Sequence, residues 1–257
     1  MAGRYWSNFT SFVGNTPTLD FDSLAGTAGS QDRTEQVRYT SGPLSVALED
    51  PSQGGILQQP NAVVDAPQRT GLPAISAKLE DSSGALSYAF AVLANQITAD
   101  NGDFDESVIG FATFAAANIQ LTDMSKIQGA VNFTDGANGY LWRSGNNYFG
   151  PSAYRDGNDL ETIEGYGGSI GVTMELGDGQ SINLGYGFTT LDLDDAVAAQ
   201  GATDDSAETN QNVMLNYMVR PIQNLMVGVE YGYFDQETVG GESSDANRLI
   251  FAAQYNF

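Results

Sequence analysis

The sequence predicts an all-β protein, an antiparallel transmembrane β-barrel in which residues 1–257 form a single domain with twelve strands. Three observations predict it. Short stretches with apolar side chains at every second position recur along the whole chain, and successive side chains on a strand point to opposite faces. The connections alternate strictly between tight turns and long loops, the rhythm of a membrane barrel with its turns on one side and its loops on the other. Finally, the weakly polar run 108–119 still contains Gly, Thr and several Ala. Nothing reaches the roughly 18 apolar residues that a membrane helix needs, so strands in lipid have to satisfy their backbone by closing into a barrel.

The first predicted strand, 4–9, sets Tyr5, Ser7 and Phe9 against Arg4, Trp6 and Asn8. A long connection, 10–35, carries Thr-Pro-Thr-Leu-Asp-Phe-Asp and the small run Ala-Gly-Thr-Ala-Gly-Ser. Strand 36–40 turns Val37 and Tyr39 to one face, and after the turn 41–43 strand 44–49 returns with Leu44, Val46 and Leu48 outward. A long loop, 50–72, precedes strand 73–80, where Ile75, Ala77 and Leu79 oppose Ser76, Lys78 and Glu80. Asp-Ser-Ser-Gly turns the chain into strand 86–95, with Leu86, Tyr88, Phe90 and Val92 outward. Beyond the loop 96–106, strand 107–121 presents Ile109, Phe111, Ile119 and Leu121; Ala115 and Ala117 on that face are small for lipid and suggest a subunit contact.

Thr-Asp-Met-Ser leads into strand 127–134, and the longest loop, 135–163, is rich in Gly, Asn, Tyr and Arg. Strands 165–176 and 181–190 form a hairpin on Gly-Asp-Gly-Gln. A second acidic loop, 191–211, leads to strand 212–220, which Pro-Ile-Gln-Asn joins to strand 225–234. After the loop 235–246, the closing strand 247–257 puts Leu249, Phe251, Ala253, Tyr255 and Phe257 on one face, and Arg248, Ile250, Ala252, Gln254 and Asn256 on the other. An aromatic-rich face that runs to the end of a strand fits the interfacial girdle of a lipid-facing barrel. Tyr88, Tyr186, Tyr217, Tyr231, Tyr233 and Tyr255 are further girdle candidates.

Composition narrows the chemistry. There is no Cys and no His, which excludes disulfides, His-ligated zinc and nucleophiles activated by a His base. No enzyme, cofactor or metal constellation is predicted. The net charge of −22 argues against a nucleic-acid partner. Acids concentrate in the long loops, at Asp100, Asp103, Asp105 and Glu106 and again at Asp192, Asp194, Asp195, Asp204 and Asp205. They read as a solvated rim, with cation bridging to lipopolysaccharide as the functional alternative. The opening Met-Ala-Gly-Arg-Tyr-Trp lacks the pattern of a secretory signal, which leads to the expectation of a processed chain or the C-terminal part of a longer one.

The opening Gly-Arg-Tyr-Trp-Ser-Asn-Phe (3–9), the Thr-Pro-Thr-Leu-Asp-Phe-Asp that follows, Gln-Val-Arg-Tyr-Thr (36–40) and Leu-Ser-Val-Ala-Leu-Glu-Asp-Pro (44–51) resemble the middle of a DcaP-like outer-membrane porin. The resemblance is specific over about the first fifty residues and looser afterwards. It implies a trimeric, sixteen-stranded diffusion channel in the bacterial outer membrane, surrounded by lipid and lipopolysaccharide and favouring small organic anions. It also implies that residues 10–35 are the constriction loop and that four N-terminal strands precede strand 4–9.

Charges on inward faces set a pore's selectivity. Arg4, Arg38, Lys78, Arg220 and Arg248 are inward cations by parity, and Glu49, Glu80, Glu175 and Glu230 inward anions; Asp20 and Asp22 lie on the presumed constriction loop and Arg33 near its end. Arg38 is the leading single candidate. These charges can face a solute or pair across the wall and hold strands in register. Two functions are therefore compatible with the sequence: a passive channel for small hydrophilic solutes, or a non-conducting structural or adhesive barrel with acidic, cation- or lipopolysaccharide-binding loops.

Overall fold

The computed structural model describes residues 1–51, 54–58, 71–100, 104–143 and 150–256. Asp103, Phe257 and parts of the loops 50–72 and 135–163 lie outside the described residues. The strands are β1 (Ala2–Trp6), β2 (Arg33–Ser41), β3 (Leu44–Glu49), β4 (Ile56–Leu57), β5 (Ala74–Ser83), β6 (Leu86–Asp100), β7 (Asp105–Thr122) and β8 (Ser125–Asp135). They continue with β9 (Ala153–Asp156), β10 (Asp159–Thr162), β11 (Glu164–Gly177), β12 (Gln180–Leu191), β13 (Ala207–Ile222), β14 (Leu225–Thr238) and β15 (Ser243–Tyr255). A single 3₁₀ turn (Asn138–Tyr140) and one short helix, α1 (Asp194–Ala198), complete the described secondary structure.

Twelve of these strands form one antiparallel sheet in the order β1-β2-β3-β5-β6-β7-β8-β11-β12-β13-β14-β15. These are the twelve strands that the alternation predicts. The order runs from β1 to β15, and no pairing joins those two strands among the described residues. Burial follows the period-two pattern closely: β3 alternates exposed and buried at every residue, and β12 keeps Ser181, Asn183, Gly185, Gly187 and Thr189 buried between outward Ile182, Leu184 and Tyr186. Ile170, Val131 and Phe251 are all more than half exposed, at 58%, 63% and 76%. So extensive an apolar surface is unlike that of a water-soluble monomer and suits hydrocarbon. Tyrosines on this face tie neighbouring strands: the Tyr186 hydroxyl donates to Gln211 Oε1 at 3.0 Å and that of Tyr217 to Gln180 Oε1 at 2.7 Å.

Three expectations about boundaries are corrected; one is the last long loop, 235–246, most of which is strand because β14 and β15 pair up to Glu237↔Ser243. Residues 7–9 are not strand. Asn8 and Phe9 are buried because the chain leaves β1 after Trp6 and turns to the inner side of the wall, where Glu49, Ser45 and Ser76 receive Asn8. Nor is 96–106 a long loop: β6 and β7 pair up to Asp100↔Asp105 and stand beyond the apolar band as a tall hairpin. Asp100, Asp105 and Glu106 are therefore strand residues.

The remaining long loops fold on themselves. A small sheet, β10-β9-β4, forms above the wall. Leu141, Tyr154, Ile163, Leu191, Leu193 and Ala196 pack in one cluster there, and Ile97, Phe104, Ala153 and Leu160 in another. The long-loop end thus has its own apolar cores, while the opposite end closes in bare turns.

Candidate functional site

The site grows from the connection between β1 and β2. Its base is closed by Ser7 N–H donating to the Asp32 carbonyl at 2.9 Å, and its two limbs meet at Thr10 and Gly29. The loop lies flat on the inner wall where the wall has no side chains. A Cβ at Gly171 would sit 1.9 Å from Thr16 Oγ1, and one at Gly187 would sit 2.1 Å from the Ala25 carbonyl oxygen. These glycines supply close approach, a need that backbone sterics leave to glycine.

Two different surfaces hold the loop. On β5–β8 the inner wall is lined with Ala74, Ala89, Ala91, Ala112, Ala116 and Ala130. The small side chains leave room for Phe9, which meets Phe114 edge-on at 5.0 Å and Tyr140 at 5.8 Å. This is a dry core inside the barrel wall.

On β8 and β11–β14 the wall is lined with amides. Asn132 Oδ1 accepts from Gly29 N–H at 3.1 Å, and its Nδ2 donates to the Gly26 carbonyl at 2.8 Å. Asn212 Oδ1 accepts from Ala25 N–H at 2.9 Å, and Asn216 Nδ2 donates to the Pro17 carbonyl at 2.8 Å. Glu230, 2% exposed, accepts from the backbone N–H groups of Leu19 at 2.8 Å and Asp20 at 2.9 Å, and from Asn216 Nδ2 at 2.9 Å. A relay of side chains joins these anchors across five strands. Gln128 donates to Thr173, Thr173 to Asn183 and Asn183 to Asn216, over distances of 3.1, 2.8 and 2.7 Å. A carboxylate buried this deeply is tolerated because several donors face it.

The predicted charges fall into three groups. Glu49, Lys78 and Glu80 lie under the root of the loop. Glu49, 1% exposed, accepts from Asn8 N–H at 3.2 Å through both oxygens and from the Ser76 hydroxyl. Lys78 Nζ donates to the Thr10 carbonyl at 2.8 Å and pairs with Glu80 at 3.1 Å, and Glu80 also receives the Ser11 hydroxyl at 2.9 Å. Asp20, Glu230 and Arg248 meet at the far side, where Arg248 forms an ion pair with Asp20 and lies 4.6 Å from the centre of the Phe234 ring. Asp22, on the same stretch of loop, donates its N–H to Asp20 Oδ1 at 3.1 Å.

Arg33 and Arg38 sit at the exit from β1. Arg33 lies 4.7 Å from the centre of the Trp6 ring, and Arg38 donates through Nη2 to the Trp6 carbonyl at 2.5 Å and through Nε to Gln36 at 2.8 Å. Glu175 and Arg220 are exposed beside the tight turns and are not gathered with the others.

A second inward element is absent from the sequence-level expectations. Within the 135–163 loop, Tyr140, Leu141, Trp142 and Arg143 are all buried. Trp142 Nε1 donates to the Asp22 carbonyl at 2.7 Å, and Gly26 N–H donates to the Trp142 carbonyl at 2.8 Å. Arg143 Nη2 reaches the Glu208 carbonyl at 2.9 Å and Asn210 Oδ1 at 3.2 Å. Burial lowers the Arg143 pKa to about 10, so it stays a cation at neutral pH. The signal was the run Tyr-Leu-Trp-Arg inside an otherwise polar, Gly- and Asn-rich loop.

A crystal structure of the outer-membrane channel DcaP of Acinetobacter baumannii superposes on 100% of this chain with a TM-score of 0.85, at 24% identity and over 71% of its own length. The chain has the fold of an outer-membrane channel. The resemblance to DcaP-like porins drawn from the first fifty residues is thereby borne out for the fold of the whole chain. Two other channel-fold structures resemble it less. An anion-selective porin from Comamonas acidovorans matches 94% of this chain and 63% of its own, with a TM-score of 0.51 and 11% identity. The trimer form of OmpT, an outer-membrane protein of Vibrio cholerae, matches 99% of this chain and 76% of its own, with a TM-score of 0.54 and 14% identity. No protein-family model and no curated protein sequence matches the chain.

Proposed function

We propose that this chain is the wall and constriction of a passive outer-membrane channel for small hydrophilic solutes. The observation that carries the reading is the inward loop: residues 10–32, fastened by their backbone to the inner side of a wall whose outer side is apolar. Residues 10–35 are the constriction. The passage runs beside the loop, past β14, β15, β1 and β2, where inner-face residues such as Arg248 and Gln254 remain exposed. Transport is by diffusion, with no catalytic step.

Anions are the favoured solutes. Glu49 and Glu230 spend their charge on loop N–H groups, and Asp20 is matched by Arg248. The reading is supported by Arg33 and Arg38, two cations side by side at the exit from β1 where the passage runs. Outer-membrane lipid and lipopolysaccharide surround the apolar face, and the chain assembles as a homotrimer, a reading that the trimer form of OmpT supports.

Planar-bilayer recording tests each level. Discrete ohmic steps are the expected result, with a reversal potential under a KCl gradient that indicates chloride preference. Folded protein that leaves the bilayer silent would overturn the channel, whereas a cation-preferring potential would overturn the anion preference alone. Arg38→Ala moves that potential toward cations.

A further inference from the structure

On the side of the constriction loop turned away from its anchors, two aromatic rings stand in the open: Phe21 is 83% exposed and Phe12 50% exposed. With Trp6 and Trp142 they line a recess of about 280 Å³ that also takes in Asp20, Asp22 and Asn15. An aqueous passage has no packing reason to display rings there. Trp6 is held edge-on to Phe12 at 5.1 Å, and Trp142 is fixed by its bond to the Asp22 carbonyl. Trp6, Phe12 and Trp142 are therefore pre-positioned, and a ligand does not have to order them.

We infer that this recess is a stacking subsite for a neutral ring sugar; the inference rests on the channel reading above. Three features select that class. A pyranose has an apolar C–H face that lies against an aromatic ring, and equatorial hydroxyls that need acceptors at the ring's edge. Asp22, a half-buried residue that lines the recess, supplies a carboxylate acceptor. Local charge turns anions away: Asp20 is paired by Arg248, Asp22 remains at the recess, and no cation is among the lining residues. A neutral solute is therefore the one the recess accepts, in a channel whose other reachable charges favour anions. Ligand sites run from roughly 300 to 1,000 Å³, so the recess takes about one ring at a time. A single ring stacked and hydrogen-bonded at its edge is held weakly enough to leave again, which conduction requires.

The test is ion current through the full chain in a planar bilayer as glucose is titrated on one side. The native channel loses current along a saturating curve. In Phe21→Ala the half-saturating concentration rises about tenfold, the scale of one lost aromatic contact, while Phe21→Trp keeps it near native. Phe21 is exposed, so its removal leaves the fold intact, and an unchanged denaturant midpoint in detergent verifies this. A strictly linear loss of current with glucose overturns the subsite but leaves the channel standing. So does a half-saturation indifferent to Phe21→Ala, or saturation by succinate but not by glucose. A bilayer that never conducts overturns both.

Discussion

The loop inside the wall is held on two sides by opposite means. Against β5–β8 it is packed: Phe9 enters a bay of alanines closed by Phe114 and Tyr140, and the contact is apolar and non-directional. Against β8 and β11–β14 it is bonded. Asn132, Asn212, Asn216 and Glu230 each meet a backbone group of the loop at one distance and one angle. Packing tolerates sliding until volumes clash, whereas an amide or carboxylate anchor defines position to a fraction of an ångström. The packed side fills volume, and the bonded side sets where the loop's free edge stands. On the channel reading, that edge, with Phe21 and Asp22, meets the passage.

The sharpest way to break this contrast is Phe9→Ala. It should cost about 3–5 kcal/mol, the usual range for a buried Phe, read as a drop in the denaturant midpoint of the folded protein in detergent. A loss under about 1 kcal/mol would mean that the alanine bay is not a core.

Glu230→Ala comes next, at about 2–3 kcal/mol, because two loop N–H groups and Asn216 lose their acceptor in a buried place. Its signature differs from that of Phe9→Ala: open-channel current becomes noisier and larger as the loop's free edge wanders. A quiet, native conductance would show that the carboxylate does not position the loop. Asn132→Ala should be milder, about 1–2 kcal/mol, with little change in conductance, since it holds the loop at Gly26 and Gly29, away from the edge. The smallest effect belongs to Glu175→Gln, under about 0.5 kcal/mol at an exposed strand end. Combining Phe9→Ala with Glu230→Ala sharpens the comparison: if the two sides act independently, their costs add within about 0.5 kcal/mol, and a larger coupling would make them one cooperative unit.

Much of this was legible in the residues. Strand identity followed from parity, because a wall with lipid on one side and polar loop on the other writes a period of two into every strand. The position of the inward loop was legible only through resemblance, on the motif around Trp6–Phe9. The roles of the inner charges were not legible. Parity puts Glu49, Glu230 and Arg220 on the same face, yet the first two are buried under the loop and the third is exposed at a turn. The difference lies in what covers each one, and that is set by residues up to 211 positions away. The hairpin of β6 and β7 was read short for a related reason. Above the apolar band the apolar residues change face, with Ile97 and Ala99 buried in a loop core while Gln96, Thr98 and Asp100 continue the outward face as polar residues, so the outward apolar alternation ends while backbone pairing continues.

By itself, the sequence determined which side chains face out and which face in, the strand count and the alternation of turns with loops, all of them properties of neighbours along the chain. Only the tertiary structure decided that Glu230 anchors a loop and that Trp142 from a distant loop latches onto Asp22. It also decided that the loop's exposed edge carries Phe12 and Phe21. Local pattern sets a side chain's direction, but its partner is whatever the folded wall brings opposite it, and no short-range periodicity encodes that meeting.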